Sequence, residues 1–388
     1  MRTRTGAGAV ARAVAVVTAC ALPGFLVGSL VLQIRDDFPL GSTVLGIAFS
    51  VYWGAAALAS PVVSRVSERL GPGRALRVAG GVAAACCLAV AALADSALAL
   101  IVLLALGGTS IACATPAANV ILLDGVSRRR RALAFGIAQS ALPGGLLLAG
   151  VAVPVVAEPL GWRPVFVIAA ALALIAAAAA PMGRVGADAG PVERSRGPAP
   201  SLVPLAFVAA GVSVGCGAVG ALNAFLVAGG PEAGVSGATA ALVLAVGSGL
   251  SIVVRLGVAL RADRGHTDPL LTVAAMLGVG ALGYVLVATD GAAPFLVGAL
   301  LVLTLGWGWM GLFSFSIVSR YRAAPERATG IMQAGTFSGG VVGPMVFGAF
   351  VDTWGFGPSW LVAAAGSLAA ALVVWIGRRA LGPEPAVE

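Results

Sequence analysis

The feature that most constrains this chain is a series of long apolar runs, each close in length to a membrane-crossing helix. Runs of about 20 apolar residues follow one another along the whole sequence, separated by short segments with charges and turn residues. In lipid, every backbone polar group must be satisfied within its own segment, so such runs must form α-helices. The sequence therefore predicts an all-α integral membrane protein.

The composition agrees with a chain whose main solvent is lipid. Hydrophobic residues make up 59% of the sequence and charged residues only 10%, whereas a soluble domain carries about 25% charged residues. The net charge of +8 could suit nucleic-acid binding, but the basic residues apart from the single His are all Arg, and most of them lie in short segments between the apolar runs. Interleaved aromatic residues, which nucleic-acid modules use, are missing there. No nucleic-acid partner is expected.

Breaks at charged and turn residues divide the chain into twelve predicted spans. The first six lie near residues 11–33, 43–63, 76–94, 97–122, 132–156 and 164–181. The last six lie near residues 202–228, 237–260, 269–288, 293–318, 328–350 and 358–376. Between them, residues 182–200 are rich in charges, Gly and Pro, which is typical of a polar linker. We expect an N-terminal six-helix bundle over 1–181 and a C-terminal one over 201–388.

The arginines predict the orientation of the spans, because translocated loops are depleted of them. Segments after even-numbered spans, together with the C-terminal tail, hold most of the arginines between the spans, including the run from Arg128 to Arg131. The opposite side keeps only Arg35 and Arg163. We therefore expect a multi-pass protein of the cell membrane with both termini and the linker in the cytoplasm.

Sliding one half of the chain over the other at an offset of 194 residues reveals an internal repeat. The matched pairs are Gly136 with Gly330, Ile137 with Ile331, Gln139 with Gln333, Gly145 with Gly339, Gly161 with Gly355 and Pro164 with Pro358. Shared Gln and Pro positions are hard to obtain by chance, so two pseudo-symmetric bundles are expected.

Several kinds of chemistry are disfavoured by what the sequence contains. Without Lys it cannot hold a Walker A phosphate loop. Its one His, His266, lies in a loop, and the spans hold no cluster of His, Cys, Asp and Glu for a hydrolase or a zinc site. We expect a protein that is not an enzyme and that needs no cofactor or metal.

The segment from Ser64 to Arg74 resembles the G-x-x-x-D-R-x-G-R-R signature of the major facilitator superfamily, with Ser for the first Gly and Glu for Asp. Asp263, Arg264 and Gly265 resemble a second, degenerate copy. With the helix count, the duplication and the linker, the resemblance covers essentially the whole chain. It implies two bundles that rock about a central site, and gate residues that close the cytoplasmic side. These are Glu68, Arg69, Gly71, Arg74, Asp263 and Arg264; the alternative is that they only set topology.

Polar residues inside spans are candidates for substrate binding, because burying them in hydrocarbon is costly. The resemblance places the first, fourth, seventh and tenth spans around a central cavity. The candidates are Arg255, Asn223, Asn119, Trp307, Trp309, Gln139 and Gln333. Hydrogen bonding between helices is the alternative for the amides, and lipid contact for the tryptophans.

Arg255 is similar to the eighth-helix Arg of monocarboxylate and oxalate/formate carriers, where a guanidinium pairs with a carboxylate. Monocarboxylate carriers have an Asp one turn earlier, and this chain has Ser251 there. The alternative is an Arg whose head group extends to the cytoplasmic surface and supports the gate loop.

The function expected from these features is secondary transport of a small organic solute by alternating access. The solute is either an organic anion or, alternatively, a drug or metabolite exported by antiport. A membrane receptor or structural membrane protein is the non-transport alternative. Expected partners are the solute, the bilayer and, if transport is ion-coupled, an ion such as a proton; the protein is expected to be a monomer.

Overall fold

The computed structural model describes residues 3–125, 130–181, 202–264, 268–321 and 325–381. All regular structure within these ranges is helical. The first half contains α1 (Thr3–Ser29), α2 (Val31–Asp37), α3 (Ser42–Leu70), α4 (Pro72–Leu93), α5 (Ala97–Gly125), α6 (Arg131–Gln139), α7 (Ala141–Ala152), α8 (Glu158–Leu160) and α9 (Trp162–Ala179). The second half contains α10 (Val203–Gly229), α11 (Gly237–Asp263), α12 (Pro269–Ala288), α13 (Ala292–Leu301), α14 (Met310–Arg320), α15 (Pro325–Trp354) and α16 (Phe356–Ala380).

Within the described ranges, twelve segments are long and apolar enough to cross a membrane, which confirms the predicted number. They are Ala7–Ser29, Ser42–Val63, Pro72–Leu93, Ala97–Leu122, Ala132–Leu160, Trp162–Ala179, Val203–Gly229, Gly237–Asp263, Pro269–Ala288, Ala292–Arg320, Arg327–Trp354 and Phe356–Ala380. Their ends agree with the predicted spans to within a few residues. With twelve spans, the start of α1 and the end of α16 lie on one side of the bundle, which we call the termini side.

Two spans are not continuous α-helices. The fifth consists of α6, a break at Ser140, α7, a π-helical turn at Val153–Ala157 and α8. The tenth consists of α13, a π-helical turn at Val302–Gly306, a turn over residues 307–309 and α14. Breaks of this kind free backbone carbonyls inside the membrane, which need partners from neighbouring helices or side chains.

The turn at Gly71 joins the second and third spans within the predicted gate motif. Its φ of 77° lies in the region that L-residues avoid, and its N–H donates to the carbonyl of Ser67 at 3.0 Å. Gly161 and Gly355, which the repeat aligns, have φ values of 83° and 77°. The two halves thus use the same glycine turn at corresponding positions.

The first six and last six spans contact each other along four lines. α1 packs on α10, α3 packs on α15, α6 and α7 pack on α11, and α6 also packs on α14. Glycines permit close approach at both sides of the membrane. A Cβ at Gly28 of α1 would lie 2.8 Å from the Cα of Ala224 in α10, and one at Gly311 of α14 would lie 3.0 Å from the Cα of Gly136 in α6.

Candidate functional site

Arg255 lies in α11, and its side chain is buried where the two halves meet. It is eight residues before the end of α11, which is about 12 Å from the termini side of that helix. Only 1% of the residue is exposed. The guanidinium therefore does not extend to the aqueous surface.

The guanidinium donates hydrogen bonds to both halves. Its Nη2 donates to the main-chain O of Trp307 at 2.6 Å, and its Nη1 to the main-chain O of Gln139 at 3.2 Å. A longer contact of 3.4 Å joins its Nε to the Oγ of Ser251, one turn earlier in α11. Arg255 thus links the broken fifth span of the first half to the broken tenth span of the second.

The sequence explains why the Gln139 carbonyl is free. In a continuous helix that carbonyl would accept from the N–H of residue 143, but residue 143 is Pro, which has no N–H. The helix breaks at Ser140, and Gln139 is the last residue of α6. Trp307 also stands at a helix break, in the tenth span, directly after the π-helical turn. Both carbonyls therefore lie at helix C-termini, where the helix dipole is negative and favours a cation.

No acidic side chain within the described ranges forms an ion pair with Arg255. Its positive charge is stabilised by the two helix C-termini and by the indole of Trp307. The centre of that ring lies 4.9 Å from the Cζ of Arg255. A buried guanidinium compensated only by partial charges retains a strong attraction for an anion.

The indole of Trp307 beside Arg255 packs with aromatic side chains of the first half. We call Phe25, Phe49, Trp53 and Trp307 the aromatic cluster. Phe25 of α1 is at its centre, with ring-to-ring distances of 6.2 Å to Phe49, 5.5 Å to Trp53 and 6.4 Å to Trp307. Sequence reasoning named Trp307 as a candidate but missed the two phenylalanines.

The other candidates on the seventh and tenth spans have different surroundings. Asn223 of α10 is buried, and its Oδ1 has no hydrogen-bond partner among the described residues. Its backbone lies where α10 approaches Gly28 of α1. Trp309 packs in the core of the last six spans, where its Nε1 donates to the carbonyl of Gly306 at 2.7 Å. Trp309 is therefore separated from the aromatic cluster, although Trp307 belongs to it.

Asn119 lines a small cavity on the termini side of the first six spans. The cavity holds about 20 Å³ of space for water, enough for about one molecule. It is lined by Val14, Val17, Thr115, Ala118, Asn119, Leu122, Ala138 and Ala141. Ala138 and Ala141 flank the helix break that exposes the Gln139 carbonyl. The half-buried side chains of Gln139 and Gln333 lie on the repeat-related fifth and eleventh spans.

One predicted gate residue joins the two halves on the termini side. Asp263, at the end of α11, accepts hydrogen bonds from the N–H groups of Ala132 at 2.9 Å and Leu133 at 3.1 Å, in the first turn of α6. A carboxylate at a helix N-terminus is stabilised by the free N–H groups and the dipole. Arg69, Arg74 and Arg264 are exposed to solvent. The side chain of Glu68 and residue Gly265 lie outside what the structure describes.

A second contact of the same kind, on the opposite side, was missed by sequence reasoning. Asp352, near the end of α15, accepts from the N–H of Ser42 at 3.2 Å, the N–H of Thr43 at 2.8 Å and the Oγ1 of Thr43 at 2.6 Å. Ser42 and Thr43 form the first turn of α3, in the other half. Nearby, partial burial lowers the pKa of Arg35, and the charge of Asp352 opposes that shift. The sequence signal for this contact was the position of Asp352, an acidic residue in the last turn of a span.

Comparison with known proteins supports the same architecture. No curated protein matches the sequence. Among solved structures, the proton:xylose symporter XylE bound to 6-bromo-6-deoxy-D-glucose has the same fold. The TM-score is 0.71 at 13% identity, and the alignment covers 97% of this chain and 96% of XylE. The family model described as Major Facilitator Superfamily matches residues 13–326. This chain belongs to the major facilitator superfamily.

Proposed function

We propose that this secondary transporter carries a small organic anion, whose negative group binds the guanidinium of Arg255. The observation that carries the proposal is a fully buried Arg, at the junction of the two halves, whose described partners include no carboxylate. An anion would replace the partial charges of the two carbonyls with a full charge and form charge-assisted hydrogen bonds. Arg255 would then be the main determinant of which solutes bind.

The position of Arg255 suits alternating access, because its partners come from both halves. When an anion accepts hydrogen bonds from the guanidinium of Arg255, the hydrogen bond from Arg255 to the Gln139 carbonyl is broken. One link between the halves is then lost. The small cavity beside Asn119 is lined by Ala138 and Ala141, which flank Gln139 in the chain. Solute binding and the relative movement of the halves would therefore be coupled at one residue.

Asp263 and Asp352 are proposed as the gates on the two sides. Each carboxylate joins its own half to the first turn of a helix in the other half. Opening either side by rocking the halves must break the contact on that side. In this structure both contacts are made, so the arrangement corresponds to a carrier held closed at both of these points.

A thermal-shift comparison of acids with their amides tests the anion proposal. Benzoate and propionate are expected to raise the melting temperature of the detergent-purified protein, whereas benzamide and propionamide, of nearly the same shape, are not. The reason is that only the carboxylates carry the charge that Arg255 attracts. Stabilisation by neutral, apolar compounds alone would contradict the proposal and favour export of a drug or metabolite.

We also propose that the protein resides in the cell membrane with its termini side facing the cytoplasm. The arginine distribution supports this, because the described arginines between spans lie on the termini side except Arg35 and Arg163. The five cysteines are all buried, so a cysteine introduced at exposed Glu232, on the opposite side, reports orientation. An impermeant maleimide should label Glu232→Cys in intact cells; labelling only after lysis would contradict the orientation.

A further inference from the structure

The aromatic cluster beside Arg255 contains more hydrogen-bond donors than acceptors. The Nε1 of Trp53 is buried and has no partner among the described residues. The Nε1 of Trp307 donates at 3.2 Å to the Sδ of Met310, and a thioether is a weak acceptor. Arg255 has five N–H groups, and its described hydrogen bonds use one on each of its three nitrogens. Two indole N–H groups of the cluster, and two N–H groups of the Arg255 guanidinium beside Trp307, thus have no good acceptor among the described residues.

Such donors are costly in a finished core. A buried polar group without a partner costs about 1–3 kcal/mol, and natural proteins retain few of them outside functional sites. Trp53 is on α3 of the first half and Trp307 is on the tenth span of the second, and the ring of Phe25 contacts both. The Phe25–Trp307 contact crosses the junction of the two halves, which must separate to admit a solute. A solute rich in acceptors would satisfy them.

We propose that the transported anion is flat and aromatic, with its carboxylate on Arg255 and its ring against the aromatic cluster. A further acceptor on the ring would take the N–H of Trp53. This inference rests on the proposed function, because it assumes that Arg255 binds the negative group. It adds a substrate class, the arenecarboxylates, and assigns Phe25 and Trp53 as residues that determine specificity.

The surroundings disfavour other small solutes. A short aliphatic anion would satisfy Arg255 but would leave the Trp53 N–H unpaired and the ring faces without stacking partners. An aromatic cation would be repelled by the buried guanidinium. An aromatic anion meets both the charge and the rings, and aromatic pairs contribute about 0.5–1.5 kcal/mol beyond the area that they bury.

Titration calorimetry on the purified full-length protein tests the aromatic preference. Benzoate is expected to bind about five- to tenfold more tightly than cyclohexanecarboxylate, which has the same charge and a similar size but no flat ring. Phe25→Leu should reduce this ratio to near one. The matched control is Phe207→Leu, a half-exposed Phe on α10 outside the cluster, which should keep the ratio of the wild type.

Trp53→Phe tests the unpaired donor, since it removes the N–H and keeps an aromatic ring. Its affinity for 4-nitrobenzoate, which carries ring acceptors, should fall about fivefold, as expected for the loss of one hydrogen bond. Its affinity for benzoate should not change. Equal effects on both ligands would overturn the assignment of this N–H to a ring acceptor.

The outcomes separate this inference from the function on which it rests. If carboxylates bind in an Arg255-dependent way but benzoate and cyclohexanecarboxylate bind equally, the anion proposal stands and the aromatic inference is overturned. If benzoate and neutral benzamide bind equally, and Arg255→Gln changes neither, both are overturned. Arg255-dependent binding with a preference for benzoate supports both.

Discussion

Arg255→Gln is expected to weaken carboxylate binding roughly 30- to 150-fold while the protein remains folded. The side chain of Gln can reach one of the two carbonyls but offers no charge. The loss of charge-assisted hydrogen bonds to an anion is about 2–3 kcal/mol. Arg255→Lys should retain part of the affinity, because Lys keeps the charge but cannot donate to Gln139 and Trp307 with the planar geometry of Arg. Calorimetry with benzoate and propionate measures both variants.

The matched control for Arg255 is Arg261→Gln, which removes an exposed Arg from the same helix. Its affinity for both carboxylates should equal that of the wild type. The melting temperatures of all variants without ligand show whether folding is preserved, and Arg255→Lys keeps the test valid if the Gln variant is unstable. Wild-type affinity in Arg255→Gln would refute the assigned role.

Asp352→Ala is expected to open the side of the protein opposite the termini. The substitution removes three hydrogen bonds and a charge–dipole interaction at the start of α3. A loss of about 1–2 kcal/mol would shift the ratio of open to closed molecules about five- to thirtyfold. Spin labels at exposed Ser96 and Asp290, in corresponding loops of the two halves, should show a longer distance by pulsed electron resonance.

Asp263→Ala should have the reverse effect, because its carboxylate holds the termini side at the start of α6. Labels at Val66 and Leu260, near the ends of α3 and α11, should move apart in this variant, and the labels at Ser96 and Asp290 should not. Glu232→Ala, which removes an exposed acid from the side opposite the termini, is the control and should change neither distance. Movement on the same side in both Asp variants would contradict two separate gates.

The spans, their number and the family were predictable from sequence because the bilayer imposes a simple rule on the backbone. Apolar runs of spanning length must be helices, and a repeat at a fixed offset reports duplication directly. The confirmed family also confirms that the chain is a transporter and not an enzyme. The predicted linker over residues 182–200 lies outside the described residues, so the domain boundaries stay a prediction.

The arrangement of the site was harder to predict, because it depends on helix rotation and on breaks. Trp307 and Trp309 are two residues apart, yet one faces the other half and one faces the core of its own half. The turn over residues 307–309 decides this, and no apolar pattern reveals it. Gln139 was chosen for its side chain, whereas its main-chain carbonyl makes the contact with Arg255. Pro143, four residues later, was the signal for that free carbonyl.

The two gates also show that contacts between distant helices are hard to predict from sequence. Asp263 was found because it lies in a motif, whereas Asp352 lies at a span end without one. Its importance comes from the first turn of α3, which is 310 residues away in sequence. Only the packing of α3 on α15 brings these groups together. A single sequence does not show that Asp352 and the first turn of α3 are close in the fold.

Counterflow in proteoliposomes tests the central claim, that an anion bound by Arg255 crosses the membrane by alternating access. Vesicles loaded with unlabelled benzoate are diluted into labelled benzoate at slightly alkaline pH, where carboxylic acids are ionised. The account predicts a transient accumulation of label with the wild type and with Arg261→Gln, above protein-free vesicles, and none with Arg255→Gln. Equal accumulation with Arg255→Gln would contradict the account. So would the absence of accumulation with the wild type for both benzoate and, in a parallel experiment, lactate.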